Sequence, residues 1–503
     1  MADILPVAQT NFRNRTVKFG IKREDRRRHI YIIGKTGSGK TTLINNMIVN
    51  DIRTNEGLAY IDPHGDSVFQ LLNYIPRERM DDVIYFEPND LDNPISFNVL
   101  ERVPFEFRHL ITSSLMSVFK KIWVDAWSAR MEYILMNSLL ALLEFPNYTL
   151  LDINRLLGDD DFRKSVVSRL RDPVVKSFWE KEFARYHANF RTEAIAPIQN
   201  KVGQFISNPL VRNIIGQEES SINLRQVMDN QKILLINLSK GALGEESSML
   251  LGGLLITKIQ LAAMSRVDLA EEERKDFYLY VDEFQNFATD SFVNILSEAR
   301  KYRLSLILAH QYLDQLPETI IKAIFGNLGT FIVFRLGGID SEQFEREFSE
   351  VTVDDFTNLE KYNIYVRLLV DGIASRPFLA ETLAMPDSPS VSYRNELINL
   401  SRSRYSRAKR FVEKAIAQKY SEARKENMIL VYCENCHEAF WKNRYDEGSL
   451  CPNCEAQSSK NTISLESLKE KKLEAGFKPK AEKQNRVEVD RLEELFKKFQ
   501  NEN

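Results

Sequence analysis

Cysteine is scarce in this chain of 503 residues, and its four copies all fall between positions 433 and 454. That clustering excludes a disulfide-stapled framework and points instead to a metal site in a reducing compartment. An excess of charge of one sign is also missing, with 68 Lys and Arg against 71 Asp and Glu. The average surface therefore does not advertise a polyanion partner, and any nucleic-acid contact has to come from local basic patches. There is no uninterrupted apolar run of membrane-spanning length: the greasiest stretch, residues 250–264, is broken by Lys258 and Gln260, and residues 1–15 lack the apolar core of a signal peptide. The expectation is a cytoplasmic protein without direct membrane insertion. No internal repeat of solenoid length is visible. What the chain does have is length, enough for two or three domains and a large core.

Residues 29–33 form a short apolar run ending at a glycine-rich loop, and helical spacing follows over 42–52, which gives strand, loop and helix in that order. Residues 58–61 read as a second strand. Between 104 and 230 the pattern turns helical, as in 131–143 and 162–170, with few strand signals. Strand patterns resume at 233–238, 277–281, 304–309 and 331–334, separated by helix-length segments. The fold expected is α/β, a mainly parallel sheet flanked by helices and split by an all-helical insertion.

The loop Gly34-Lys35-Thr36-Gly37-Ser38-Gly39-Lys40-Thr41 satisfies GxxxxGK[ST] in the strand-to-helix context that gives this motif its meaning. Glycines let the backbone curl so that its amides face phosphate oxygens, and the helix N-terminus adds positive potential. Lys40 is expected to bridge the terminal phosphates of ATP, and the Thr41 hydroxyl to take one Mg²⁺ position. Thr42 is counted with the loop as nucleotide-binding. The strand 278–281 ends in Asp282-Glu283, placing two carboxylates at the carboxyl end of a parallel sheet. Asp282 is the expected magnesium partner, and Glu283 is then free to orient and deprotonate the attacking water. Gln311, directly after the strand 304–309, is a candidate sensor of the terminal phosphate or else a strand end touching only water. Asp62, in Asp62-Pro63-His64-Gly65-Asp66, reads either as a contact to magnesium-bound water or as a turn carboxylate. Arg335 follows the strand 331–334 and is the first candidate for an arginine finger reaching a neighbouring subunit's nucleotide, with Arg300, Arg303 and Arg346 in competition.

The ordered set formed by the loop 34–41, Asp62-Pro63-His64-Gly65-Asp66, Asp282-Glu283-Phe284-Gln285-Asn286-Phe287 and Ala309-His310-Gln311 resembles the FtsK/HerA superfamily of DNA-pumping ATPases. It is most similar to TraD/TraG-like type IV secretion (conjugative) coupling proteins. Asn93-Pro94-Ile95-Ser96-Phe97-Asn98, Ala129-Arg130-Met131-Glu132 and Asn237-Leu238-Ser239-Lys240-Gly241 extend the likeness over roughly residues 15–415. The resemblance implies a RecA-like core, a homo-oligomeric ring of six and DNA moved through its pore by ATP hydrolysed between subunits. Members of the group commonly begin with transmembrane helices, whereas this chain reaches its phosphate loop by residue 34. The expectation is therefore a soluble translocase, or one recruited by a separate membrane or relaxosome-like protein. The organisation that follows is an ATPase core in two parts, 1–103 and 231–389, around the insertion 104–230. After it come a basic helical linker at 390–428, a zinc ribbon at 429–458 and a charged helical tail at 459–503.

Cys433-Glu434-Asn435-Cys436 and Cys451-Pro452-Asn453-Cys454 form two CxxC pairs at the spacing that lets two knuckles share one tetrahedral Zn²⁺. Four thiolates close the coordination sphere, so the zinc is expected to be structural. The basic clusters Arg402, Arg404, Arg407, Lys409, Arg410 and Arg23, Arg26, Arg27, Arg28 read either as phosphate contacts or as solvated faces. Two functions fit the sequence: an ATP-driven DNA translocase, or a nucleotide-switched recruitment ATPase that binds a protein partner through its zinc ribbon and pumps no DNA.

Overall fold

The computed structural model describes residues 4–12, 15–101, 103–426, 428–436, 439–443, 450–451 and 454. The charged tail expected at 459–503 lies outside the described residues.

The backbone is organised by one sheet of eleven strands. In chain order these are β1 (Ile4–Phe12), β2 (Arg15–Lys22), β3 (Ile30–Ile33), β4 (Gly57–Asp62), β5 (Val83–Phe86), β6 (Ile233–Asn237), β7 (Phe277–Val281), β8 (Leu304–His310), β9 (Thr330–Val333) and β10 (Asn363–Arg367). A short hairpin, β11 (Leu369–Val370) and β12 (Ile373–Ala374), precedes the last sheet strand, β13 (Phe378–Thr382). The spatial order is β2-β1-β13-β10-β9-β3-β8-β7-β4-β6-β5. From β9 to β5 every pairing is parallel, and β10, β13, β1 and β2 extend the sheet in antiparallel fashion.

The parallel strands are buried on both faces, which is why they read as continuous apolar runs rather than as alternation. The period of two is still visible in where the side chains go. Tyr31, Ile33, Ala59, Ile61, Leu279 and Val281 join one core cluster, while Ile30, Ile32, Leu58, Tyr60, Tyr278 and Tyr280 join the other.

Residues 105–229 contain helices and no strand among the described residues. Their apolar side chains, including Trp123 stacked on Phe119 at 4.5 Å between ring centroids, belong to the same cluster as one face of the sheet. The greasy stretch at 250–264 lies within the helix Glu245–Met264. This is the one segment among the described residues long and apolar enough to cross a membrane, and it is 72% buried in protein. Gly252 allows that burial, since a Cβ there would sit 2.1 Å from the Phe287 ring.

The basic run before β3 turns inward. Arg26 donates to both carboxylate oxygens of Asp51, at 2.8 and 2.7 Å, and Tyr280 donates to the same carboxylate at 2.5 Å. Arg26 and Asp51 are both buried, so this bidentate pair ties the segment before β3 to the helix Lys40–Arg53, and Tyr280 joins β7 to the same carboxylate. Arg23 pairs with Glu56 and Arg27 with Asp276. The later cluster is also used structurally, since Arg402 holds Asp90 and Arg404 holds Asp81, clasping the helix Arg394–Tyr405 beside the edge strand β5. Buried Arg26 fits neither reading of these clusters, and Arg23, Arg27, Arg402 and Arg404 are engaged by carboxylates of the fold.

The four cysteines belong to a second compact unit, residues 423–503. Its described part is a hairpin of β14 (Met428–Tyr432) and β15 (Ala439–Asn443) followed by the second cysteine pair.

Candidate functional site

The parallel register delivers the sequence-predicted residues to one place. β3, β8, β7 and β4 are successive neighbours, with β9 on the other side of β3. The phosphate loop, Gln311, Asp282-Glu283, Asp62 and Arg335 follow the carboxyl ends of these five strands, which is where open parallel sheets bind ligands.

The loop is anchored to both neighbouring strands: Gly34 N–H donates to His310 O at 3.4 Å and Lys35 N–H to Arg335 O at 2.9 Å. Gly39 has φ 121°, a backbone region closed to side chains, and an added Cβ would meet the Tyr362 ring at 2.7 Å. Tyr362 also donates its N–H to Ser38 O at 2.9 Å, so the turn before β10 buttresses the loop, a role no local sequence signal announced. The buried Ser38 hydroxyl has no hydrogen-bond partner among the described residues. Lys35, Thr36, Gly37 and Thr41 are exposed, Thr42 is half-buried, and Lys40 is buried with Nζ donating to Gly34 O at 2.6 Å. Burial holds the Lys40 amine below its ordinary pKa, against the attraction of Asp282 and Glu283.

Asp282 accepts the Glu283 N–H at 2.9 Å on one oxygen and faces the Thr41 hydroxyl at 3.4 Å with the other. Burial, followed by the carboxylates of Glu283 and Asp62, pushes its pKa up to about 6. A buried carboxyl crowded by like charges favours an added cation, and the Thr41–Asp282 oxygen pair suits the oxygen preference of Mg²⁺. A loop exposed at Lys35 to Gly37 and at Thr41, a buried lysine and this oxygen pair together fit a nucleoside triphosphate with magnesium.

Glu283 adopts a left-handed conformation, φ 46°, uncommon for a residue with a side chain. One of its oxygens accepts Gln311 Nε2 at 2.9 Å, and Gln311 Oε1 in turn accepts the Thr36 hydroxyl at 3.0 Å. Gln311 thus joins the phosphate loop to the acidic pair. Asp62 accepts the N–H groups of His64, Ser67 and Val68 at 2.8, 3.0 and 3.2 Å, which matches its reading as a turn carboxylate. Arg335 is exposed and makes no side-chain hydrogen bond or ion pair among the described residues. Arg300 and Arg303 sit before the amino-terminal end of β8, at the opposite edge of the sheet from the loop, and Arg303 is engaged by Glu271 and Asp276.

A family model described as the type IV secretion-system coupling protein DNA-binding domain matches residues 15–347. The chain belongs to that family. No match is found among curated proteins. Among solved structures, the coupling-protein fold is seen in the bacterial conjugative coupling protein TrwBdeltaN70 in its unbound monoclinic form. The identity is 16% and the TM-score 0.54, covering 74% of this chain and 88% of that one. It is seen again in the plasmid coupling protein TrwB in complex with ADP and Mg2+, at 16% identity and TM-score 0.55, covering 75% and 90%. These likenesses establish a RecA-like coupling-protein fold for a chain that shares few residues with either structure.

In the cysteine module the sulfurs of Cys433, Cys436, Cys451 and Cys454 all lie within 4.8 Å of one another, and Cys436 and Cys451 are 3.6 Å apart. Zinc–sulfur bonds of about 2.3 Å in a tetrahedron require sulfurs roughly 3.8 Å apart, so the arrangement fits the metal. N–H groups of Cys436, Cys451 and Asn435 lower the Cys433 thiol to about 6, favouring the thiolate that zinc requires.

Proposed function

We propose that this chain is an ATP-driven DNA translocase of the coupling-protein type, working as a hexameric ring that hydrolyses ATP between subunits. The observation that carries the reading is the hydrogen-bonded line from Thr36 through Gln311 to Glu283, beside Asp282, in a member of the coupling-protein family. A sensor tied to both the phosphate loop and the base lets the base respond to what the loop holds.

In this reading the loop Gly34 to Thr41, anchored through its Gly34 and Lys35 amides, cradles the phosphates of ATP with its remaining amides and the Lys40 amine, with Thr42 behind them. Thr41 and Asp282 hold Mg²⁺, which when bound supplies neutralisation of phosphate charge. Glu283 accepts the proton of the attacking water, and Gln311 reports the terminal phosphate. Arg335, exposed and without a side-chain partner among the described residues, is the candidate to stabilise transition-state charge across a subunit boundary. DNA is the substrate moved. The zinc module and the tail select partners, which include a separate membrane or relaxosome-like protein, and the chain works on the cytoplasmic side. The proposed division keeps residues 1–103 and 231–389 as the motor, 104–230 as the helical insertion, 390–428 as linker, 429–458 as zinc ribbon and 459–503 as tail.

One observation favours the alternative of a nucleotide-switched recruitment ATPase: the cysteine module forms a compact unit of its own, suited to holding a protein partner. ATP turnover with and without DNA separates the two, because a motor accelerates on DNA and a switch does not.

A further inference from the structure

The proposed base is held from a second side, by a residue to which the motif pattern assigns no role. Gln285 donates its Nε2 to the other Glu283 oxygen at 2.5 Å, so each carboxylate oxygen accepts one side-chain amide, from Gln285 on one side and Gln311 on the other. The carbonyl oxygen of Gln285 is buried and has no hydrogen-bond partner among the described residues. Its amide is therefore not stationed there by an alternative structural bond, and burying that unpaired carbonyl has a cost that the contact to Glu283 offsets.

The backbone of the same turn is held separately. Asn286 Nδ2 donates to Glu283 O at 2.8 Å, and Asn286 Oδ1 accepts Lys240 Nζ at 2.8 Å. Asn286 thus maintains the left-handed turn, while the two glutamines set the direction of the carboxylate.

The two glutamines are not equivalent. Gln311 also contacts the phosphate loop through Thr36, so a terminal phosphate competes for it. Gln285 has no such second side-chain contact among the described residues. We propose that Gln285 is a positioning residue for ATP hydrolysis, keeping Glu283 aimed when Gln311 turns to the phosphate. Each carboxylate oxygen has a second lone pair, so holding Glu283 in this way leaves it able to accept a proton from water. The inference rests on Glu283 being the base of an ATPase.

The test compares wild type, Gln285→Leu, Gln285→Met and Glu283→Gln in the full-length protein. It measures DNA-stimulated kcat at saturating ATP and Mg²⁺, together with the affinity for a fluorescent ATP analogue. Gln285→Met keeps the side chain's length and carries no amide to donate and no charge, which guards against a fold defect in Gln285→Leu. Both Gln285 variants are expected to lose roughly tenfold in kcat, the scale of a hydrogen bond to a charged group, with nucleotide affinity within about twofold of wild type. Adding Gln285→Leu to Glu283→Gln should cause no further loss. Normal turnover in both Gln285 variants, while Glu283→Gln is inactive, overturns the positioning role alone. Normal turnover in Glu283→Gln overturns the ATPase assignment and this inference with it.

Discussion

Asp282→Asn should stabilise the fold in the absence of nucleotide and metal, by an amount that depends on pH. Burial and the carboxylates of Glu283 and Asp62 raise Asp282 from 3.8 to about 6, and a tenfold change in an acid's dissociation constant corresponds to about 1.4 kcal/mol. The penalty for ionising Asp282 in the folded chain is therefore roughly 3 kcal/mol. Because the folded pKa is the higher one, the folded state takes up a proton first. The favourable contribution is complete below about 3.8, declines as pH rises, and is gone above about 6. Asparagine carries no charge, so the variant should gain over wild type above pH 6 and lose the advantage towards pH 4. Its carbonyl can still accept the Glu283 N–H, so the packing of the turn is retained. Thermal unfolding in chelator from pH 4.5 to 8 gives the readout. The expected result is a higher Tm for the variant at pH 8, shrinking as the pH falls, with stabilisation by ATP and magnesium reduced. A variant that is less stable at every pH, or equally shifted at every pH, would refute the electrostatic account of this site.

Lys40→Ala should abolish measurable nucleotide binding, read by equilibrium titration with a fluorescent analogue, since it removes the buried amine beside the loop. Glu283→Gln should retain nucleotide binding while turnover falls by about 100-fold or more, as expected for loss of a general base. Arg26→Ala leaves Asp51 charged, buried and short of its partner, and should cost roughly 3–5 kcal/mol in denaturant unfolding. Arg402→Ala with Arg404→Ala removes two partly exposed pairs; stability should drop by no more than about 1 kcal/mol per pair. The salt dependence of DNA binding should stay unchanged in that double variant. Cys436→Ser should reduce bound zinc per chain, measured by metal analysis, and chelation should melt the cysteine module while leaving ATP binding intact.

The central parallel strands were legible because burial on both faces wrote them as apolar runs, and their ends coincided with the loop motif, Asp282 and Gln311. The strands β1, β2, β10 and β13 were not, because this antiparallel end of the sheet leaves exposed or half-buried residues such as Lys18, Glu381 and Tyr365 in the pattern. β5 escaped through brevity, with only Val83–Phe86 to announce it. In the site, spacing identified the loop and the acidic pair, since those contacts are local in sequence. Tyr362 leaning on Gly39 is a contact between distant segments, invisible without the sheet. Gln285 lay inside a motif visible in the sequence, yet its role depends on a turn conformation at Glu283 that residue type does not encode. The basic clusters stayed open between phosphate contacts and solvated faces for a related reason: Arg26 finds Asp51 and Arg402 finds Asp90 only once the chain is folded.

The measurement closest to the central claim is steady-state ATP hydrolysis by the purified chain without DNA, with single-stranded DNA and with duplex DNA, alongside the mass of the assembly in ATP. The account predicts strong stimulation by at least one form of DNA and a hexamer-sized species. Turnover indifferent to both forms, from a monomer or dimer, would contradict it.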